Sequence, residues 1–362
     1  MSAAAPAPRA LLVRAPNWIG DAVMATPTLT ALRHGLPGTK ITVLARSGVA
    51  DVLIGHPAID ELLVDDHRGA HRGPIGRWRL ASEIRRRGFD AALLLTNSFG
   101  SALVTAAARV PVRVGYRTDA RGPLLTIALA PPKPVPHMTR YYLGLAAPWG
   151  VTGNPRAVSL TVTDSERAAA DRRLVEWGIG SDDRVAGLNP GAAYGSAKRW
   201  PADRFAAVAA RLAREGTAVV VLGAASERKL GEVVVAGLGR RAVNAAGLTT
   251  VREAMALMTR CSHLVTNDSG PMHLAAALGV PVTAVFGPTS PGATSPVGER
   301  VVILQRPVDC APCRYRECPI DHRCMTSVGV DEVYNTVINS GLQNPPLPPF
   351  VNGGRGGIAS ES

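Results

Sequence analysis

The sequence predicts an α/β protein of two doubly wound, Rossmann-like domains facing a central cleft. Three observations carry this. Short apolar runs alternate with stretches long enough for helices through both halves of the chain. A Pro- and Gly-rich segment, 130–155, separates the halves. At 362 residues the chain is also too long for one ordinary core. Aromatic residues make up only 4% of it, and Ala, Val and Leu dominate, which suits parallel strands and helices better than an aromatic-rich sandwich. The expected organisation is one domain over 1–160, a second over 161–340, and a disordered Pro- and Gly-rich tail over 341–362.

The elements follow in order. Leu11, Leu12 and Val13 read as a short buried strand, and from Ala22 the apolar positions Val23, Met24, Leu29 and Leu32 recur at near-helical spacing. Asp21 therefore stands at a strand-to-helix turn, behind Gly20. Further strands are expected at "KITVLA" (40–45), "ELLVD" (61–65), "DAALLLT" (90–96) and "PVRVGY" (111–116), in the βα pattern of a parallel sheet. The second half opens with a capping box, Thr163-x-x-Glu166, and repeats the logic with "RVAGLN" (184–189), "AVVVLG" (218–223), "HLVTN" (263–267) and "PVTAVFG" (281–287). A second capping box, Thr250-x-x-Glu253, starts one of its helices.

Open α/β sheets bind ligands at the carboxyl ends of their strands, so the turns are where chemistry is expected. Asp21 has two readings there: Asp is a preferred helix N-cap, and it is also a carboxylate at the mouth of a cleft. After "RVAGLN" comes "PGAAYGSAKRWP" (190–201), whose small residues let a ligand approach the main chain and whose Lys198 supplies a point charge for phosphate oxygens. After "HLVTN", the residues Asp268, Ser269 and Gly270 take the cap and first turn of an apolar helix, where free amides make a phosphate site. His273 lies one turn further in and is read either as facing the same cleft or as a packed helix residue.

Other signatures narrow the field. Forty basic against twenty-eight acidic residues leave a net charge of +12, which points to an anionic partner. Part of the excess is local, since residues 67–88 hold seven arginines and one acid, Glu83. No apolar run reaches the length of a membrane span and no secretory signal is recognisable, so the expected location is the cytoplasm. A phosphate-binding G-x-x-x-x-G-K-[ST] loop is missing, and Gly237-x-Gly239-x-x-Ala242 follows a helix instead of a strand, which argues against an ordinary ATPase and a nicotinamide dehydrogenase. Only one Trp and one Phe interleave residues 67–98, a poor stacking platform, so a nucleic-acid partner is not expected. Cys310, Cys313, Cys318 and Cys324, at spacing Cys-x2-Cys-x4-Cys-x5-Cys, admit reduced packing thiols, a structural zinc site or disulfides.

Four separated motifs in this order, "NWIGDAVMATPTLTALR", "NPGAAYGSAKRWP", "TNDSGPMHLAAALGVPVTAVFGPTSP" and "CAPCRYRECPIDHRCM", resemble the lipopolysaccharide heptosyltransferases of glycosyltransferase family 9. The last of them resembles the heptosyltransferase II branch in particular, and the match spans roughly residues 10–340. The resemblance implies a GT-B fold with an N-terminal acceptor domain and a C-terminal donor domain holding ADP-L-glycero-D-manno-heptose. It implies inverting transfer with no cofactor and no catalytic metal. By the same resemblance, Asp21 is the general base, and Lys198, Asp268, Ser269, Gly270 and His273 hold the donor. Gly20, Asn97, Arg117 and Arg121 are the candidate acceptor contacts. The implied partners are the lipid A–inner core acceptor and an anionic inner-membrane surface, to which a monomeric, peripheral enzyme binds from the cytoplasm. Another sugar on the same fold, or a basic nucleic-acid-binding protein, is the alternative.

Overall fold

The computed structural model describes residues 5–339; the expected tail over 341–362 lies outside them. The first lobe runs β1 (Ala10–Arg14), α1 (Ile19–Met24), α2 (Thr26–Gly35), β2 (Lys40–Ala45), α3 (Ser47–Leu53), β3 (Glu61–Val64), α4 (Gly73–Arg87), β4 (Ala91–Leu94), α5 (Phe99–Ala107), β5 (Val112–Tyr116), β6 (Ile127–Leu129) and α6 (Met138–Leu143). The second runs α7 (Asp164–Glu176), β7 (Val185–Asn189), α8 (Ala202–Arg214), β8 (Ala218–Val221), α9 (Arg228–Val235), β9 (Ala242–Asn244), α10 (Val251–Arg260), β10 (His263–Asn267), α11 (Gly270–Ala277), β11 (Val282–Phe286) and β12 (Val301–Gln305).

Each lobe is built on a six-stranded sheet, in the orders β3-β2-β1-β4-β5-β6 and β12-β11-β10-β7-β8-β9, and every pairing is parallel. Parallel sheets need both faces covered, which explains why the central strands are apolar throughout: Leu11, Leu12 and Val13 are fully buried, as are Leu264 and Val265. The strand order reverses between β1 and β4 in the first sheet and between β7 and β10 in the second. Those are the switch points at which doubly wound sheets open a crevice. The turns after β1, β7 and β10 carry Asp21, Lys198 and Asp268, so all three lie at switch points.

The expected strands are present, and three edge strands, β6, β9 and β12, join them. β6 is three residues long and leads into Pro131 and Pro132; β12 lies at the far edge of the second sheet. Edge strands have one free side and need less apolar patterning, which makes them faint in sequence. Both capping boxes form as the sequence indicates. The first is extended by Arg252, which donates to both oxygens of Glu166 and to Thr161 O at 2.9 Å, tying α10 to α7 and the linker. That hydrogen-bonded pair holds the Glu166 carboxyl at about 2, well below the usual range.

One expectation is corrected here. Asp21 does not cap α1: Trp18 occupies the N-cap position with no side-chain capping bond, and Asp21 sits in the first helical turn. Its carboxylate still meets the positive helix end but is turned toward the cleft, where it accepts a hydrogen bond from another element.

The lobes meet where α1 packs on α11. Gly20 makes this approach possible: a Cβ there would lie 2.7 Å from Cδ2 of the buried His273 ring, and Gly270 reciprocally faces Ile19 at 3.5 Å. We expect Gly20→Ala to be destabilised by about 1–3 kcal/mol through overpacking of this contact, read as a lowered midpoint in urea or thermal unfolding; a midpoint equal to the parent's would show that the helices can slide apart freely.

Candidate active site

Asp21 reaches the cleft from the first lobe. Its Oδ1 accepts from the Tyr142 hydroxyl at 3.0 Å, and Tyr142 itself is buried on α6. Helix α6 is started by His137, whose Nδ1 accepts from the amide of Thr139 and whose Nε2 lies 2.9 Å from Ser295 O in the second lobe. Burial pushes the Asp21 carboxyl above its ordinary value, while the Tyr142 hydrogen bond and the charge of Lys198 across the cleft pull it back. A carboxylate that is desolvated, held on one oxygen and offset by a cation is suited to accepting a proton.

The second lobe supplies a cation and backbone donors. Lys198 lies 2.6 Å from Asp268 Oδ2, with both side chains largely buried, and the Thr289 hydroxyl also donates to Asp268. Lys198 further sits over the Tyr194 ring, 4.9 Å from its centroid. Ser269 is the N-cap of α11, but its hydroxyl donates to Asn189 Oδ1 at 3.1 Å and leaves the helix end uncapped. In that first turn Pro271 has no N–H and Met272 donates to Ser269 O. The amides of Ser269 and Gly270 are thus the ones left for an anion.

Two asparagines absent from the sequence reading hold these turns together. Asn267 donates to Pro190 O at 2.9 Å and Gly191 O at 3.1 Å and accepts from Trp200 N at 2.9 Å, clamping both ends of the Lys198 loop onto β10. Asn189 accepts from Ser269 and Thr266 and donates to Leu222 O. Both side chains are buried. The available signal was a polar amide ending an otherwise apolar strand, at Asn189 after "RVAGL" and Asn267 after "HLVT". Tyr142 was equally hidden, inside a segment that reads as linker.

The remaining expected residues divide. His273 is buried under Gly20, and burial, together with the charges of His137 and Lys198, lowers its pKa to about 3, so it is a neutral imidazole at physiological pH. Asn97 is exposed at the end of β4 and donates to the Tyr141 hydroxyl at 2.9 Å; Arg117 is exposed after β5. Arg121 departs from the expectation. It is fully buried and donates to Tyr116 O at 2.8 Å, to Thr96 O and to Asn97 Oδ1, so it buttresses Asn97 and cannot itself touch an acceptor in this arrangement.

All five cysteines are free thiols, so the disulfide alternative is not realised, and among the described residues no three His, Cys, Asp or Glu side chains are grouped as metal ligands. Cys310, Cys313, Cys318 and Cys324 instead line one cavity of about 40 Å³ together with Ala197. Their segment straps the Lys198 loop: Ala197 N donates to Arg316 O at 3.0 Å and the Tyr194 hydroxyl donates to Arg314 O at 2.7 Å. Any side chain at Gly195 would collide with Arg316 O.

Comparison with known proteins places this geometry. The family model described as glycosyltransferase family 9 (heptosyltransferase) matches residues 77–323. Lipopolysaccharide heptosyltransferase 2 of Salmonella typhimurium strain LT2 is 33% identical over 308 residues, covering 82% of this chain and 87% of that protein. The solved structure of E. coli ADP-heptose LPS heptosyltransferase II superposes with a TM-score of 0.80 at 28% identity, covering 92% of this chain and 98% of that one. A family 9 glycosyltransferase from Veillonella parvula DSM 2008 superposes at 0.82 with 26% identity, covering 93% and 98%.

Tyr142 opposes the effect of burial on Asp21, so its removal has a defined sign. In Tyr142→Phe the Asp21 carboxyl pKa should rise further, followed by carbon-13 NMR titration of the carboxyl resonance. A pKa that stays put or falls would mean that the hydroxyl does not hold the ionised form.

Proposed function

The chain belongs to glycosyltransferase family 9, the heptosyltransferases, and we propose that it transfers L-glycero-D-manno-heptose from ADP-heptose to the heptose/Kdo inner core of lipopolysaccharide, with inversion, as a heptosyltransferase II. The fold is GT-B. The relatives named heptosyltransferase 2 support the choice of reaction, since the similarity runs through most of both chains. In this reading the 1–160 region takes the acceptor and the 161–340 region the donor. The family and the apposed carboxylate and cation set aside the nucleic-acid alternative.

The observation that carries the mechanism is Asp21, a desolvated carboxylate from one lobe facing Lys198 and the α11 N-terminus of the other. An acceptor hydroxyl is a poor nucleophile until its proton is removed. Asp21 takes that proton as the hydroxyl oxygen bonds to the anomeric carbon. The bond from that carbon to the diphosphate oxygen breaks, and ADP leaves with the electron pair. Tyr142 occupies Oδ1, which directs Oδ2 toward the acceptor. Negative charge grows on the leaving diphosphate, where Lys198 and the Ser269 and Gly270 amides stabilise it more in the transition state than in the bound donor. This neutralisation needs no metal ion. Neutral His273 closes the wall behind Gly20 and adds no charge.

No helix among the described residues is long and apolar enough to cross a membrane. A lipid-linked acceptor then requires the enzyme to meet the membrane surface, which we place on the cytoplasmic side. Asp21→Asn should lower turnover about 10²–10⁴-fold while calorimetric ADP affinity stays within a few-fold, with synthesis in EDTA undiminished for the parent. The raised Asp21 pKa means that the folded state binds this proton more tightly than the unfolded chain. The charged carboxylate therefore lowers stability at neutral pH, and the loss disappears as pH falls through the folded pKa. Asp21→Asn should accordingly melt no lower than the parent at neutral pH. Unchanged turnover in this variant would remove Asp21 as the base.

A further inference from the structure

Helices α4 and α5 pack side by side on one face of the first sheet, where Leu80, Ala81 and Ile84 of α4 share a core with Ala102 and Val104 of α5. Their outer faces are unusual. Ile75 and Trp78, three residues apart on α4, are each 69% exposed, and Phe99 and Leu103, four apart on α5, are 42% and 47% exposed. Single exposed apolar residues are common; four on neighbouring helices form a patch. Because the strands are parallel, both helices start at the carboxyl edge of the sheet; Ile75, Trp78 and Phe99 lie in their first halves and Leu103 at the midpoint of α5. The patch thus borders the same edge as Asp21.

Basic residues ring it. Of the arginines on α4, Arg77 pairs with Asp65 at 3.0 Å, and Arg87 pairs with Glu61 and Glu83. Arg72, Arg79, Arg85 and Arg86 are exposed and take part in none of the ion pairs among the described residues. At 100° per residue, Ile75, Trp78, Arg79 and Arg86 share one side of α4. An amphipathic ring at the centre, a branched aliphatic beside it and arginines around them match the headgroup boundary of an anionic bilayer.

We propose that the outer face of α4 and α5 docks on an anionic phospholipid surface, with Trp78 and Ile75 at the boundary between headgroups and acyl chains and the arginines on headgroup phosphates. The proposal rests on the lipid-linked acceptor of the preceding section and names the surface that delivers it: docking here turns the cleft edge toward the membrane. A second copy of the chain is disfavoured, since a two-fold contact would set unpaired arginines against one another. A soluble phosphate has no use for the apolar four, and a nucleic acid has rings only at Trp78 and Phe99 to stack on.

The test is cosedimentation of the full chain with vesicles of phosphatidylcholine alone or mixed with phosphatidylglycerol, at low and high salt. The parent should bind the mixed vesicles and lose them in high salt. Ile75→Ser/Trp78→Ser and, separately, Arg79→Glu/Arg86→Glu should each weaken binding at least about tenfold, with parent-like melting temperatures and parent-like kcat/KM on a delipidated acceptor. Parent-like vesicle binding by both double variants overturns the proposal, as does failure of the parent to bind phosphatidylglycerol. Capture of RNA or a concentration-dependent dimer, lost in the same variants without any vesicle binding, reassigns the face and overturns it too. Vesicle binding as expected with no heptose transfer to the delipidated acceptor would instead fault the functional reading and leave the surface standing.

Discussion

The arrangement at the cleft depends on how closely α1 can approach α11. Gly20 lacks the Cβ that would strike the His273 ring, so two helices that each follow a central strand come into contact at their starts. That contact sets Asp21, the next residue, opposite the Lys198 turn. It also strips water from both partners, with opposite consequences for their ionisation: the carboxyl of Asp21 is pushed up and the imidazole of His273 is pushed down to about 3. Burial favours the neutral form of each group. Only Asp21, as the proposed base, has to be charged to act, and it is given a hydrogen-bond donor, Tyr142, while the nearby Lys198 favours the charged form of Asp21 and disfavours that of His273. The two residues share one contact and differ in what surrounds them.

The second lobe handles the same problem by pairing. Lys198 would be an isolated, largely buried cation in an empty cleft, a costly state. Asp268 balances it, and Thr289 satisfies the remaining demand on that carboxylate. A diphosphate bound as proposed would bring more negative charge to the same ammonium, so the lysine would have a partner before and after binding. The loop that carries it is clamped from below by Asn267 and from above by the cysteine-bearing strap. This explains why that segment, remote in sequence, packs as part of the same unit as the Lys198 loop.

Much of this was legible in the sequence because it is local. Strand-turn-helix alternation marks the switch-point turns, both capping boxes are spelled out by residues three apart, and Asp21, Lys198 and Asp268 stand in turns whose chemistry is visible one residue at a time. What was illegible is what arises between elements. Asn189 and Asn267 look like ordinary strand ends until the loops they clamp are folded beside them. Arg121 reads as one more exposed arginine, yet it is fully buried because three acceptors at Tyr116, Thr96 and Asn97 converge on it. Asp21 as a cap was a local inference that missed where the helix begins: Trp18 takes the N-cap position, and the Asp21 carboxylate meets Tyr142, more than a hundred residues away.

One buried group links the Asp21 turn to the outer face of the first lobe. Asp65, at the end of the edge strand β3, is 1% exposed and pairs with Arg14 at 3.2 Å and Arg77 at 3.0 Å. Arg14 closes β1 and donates further to Leu44 O and Asn17 Oδ1, so it fixes the start of the turn that ends at Asp21. Burial lowers its pKa to about 10, which still leaves it charged at neutral pH. Arg77 lies between Ile75 and Trp78 on α4. A buried pair of this kind contributes little net stability, because desolvation offsets most of the attraction, but it tolerates few alternative geometries. Its value here is positional: one carboxylate pairs the arginine that ends β1 with one on α4, tying the exposed helix to the turn that carries Asp21.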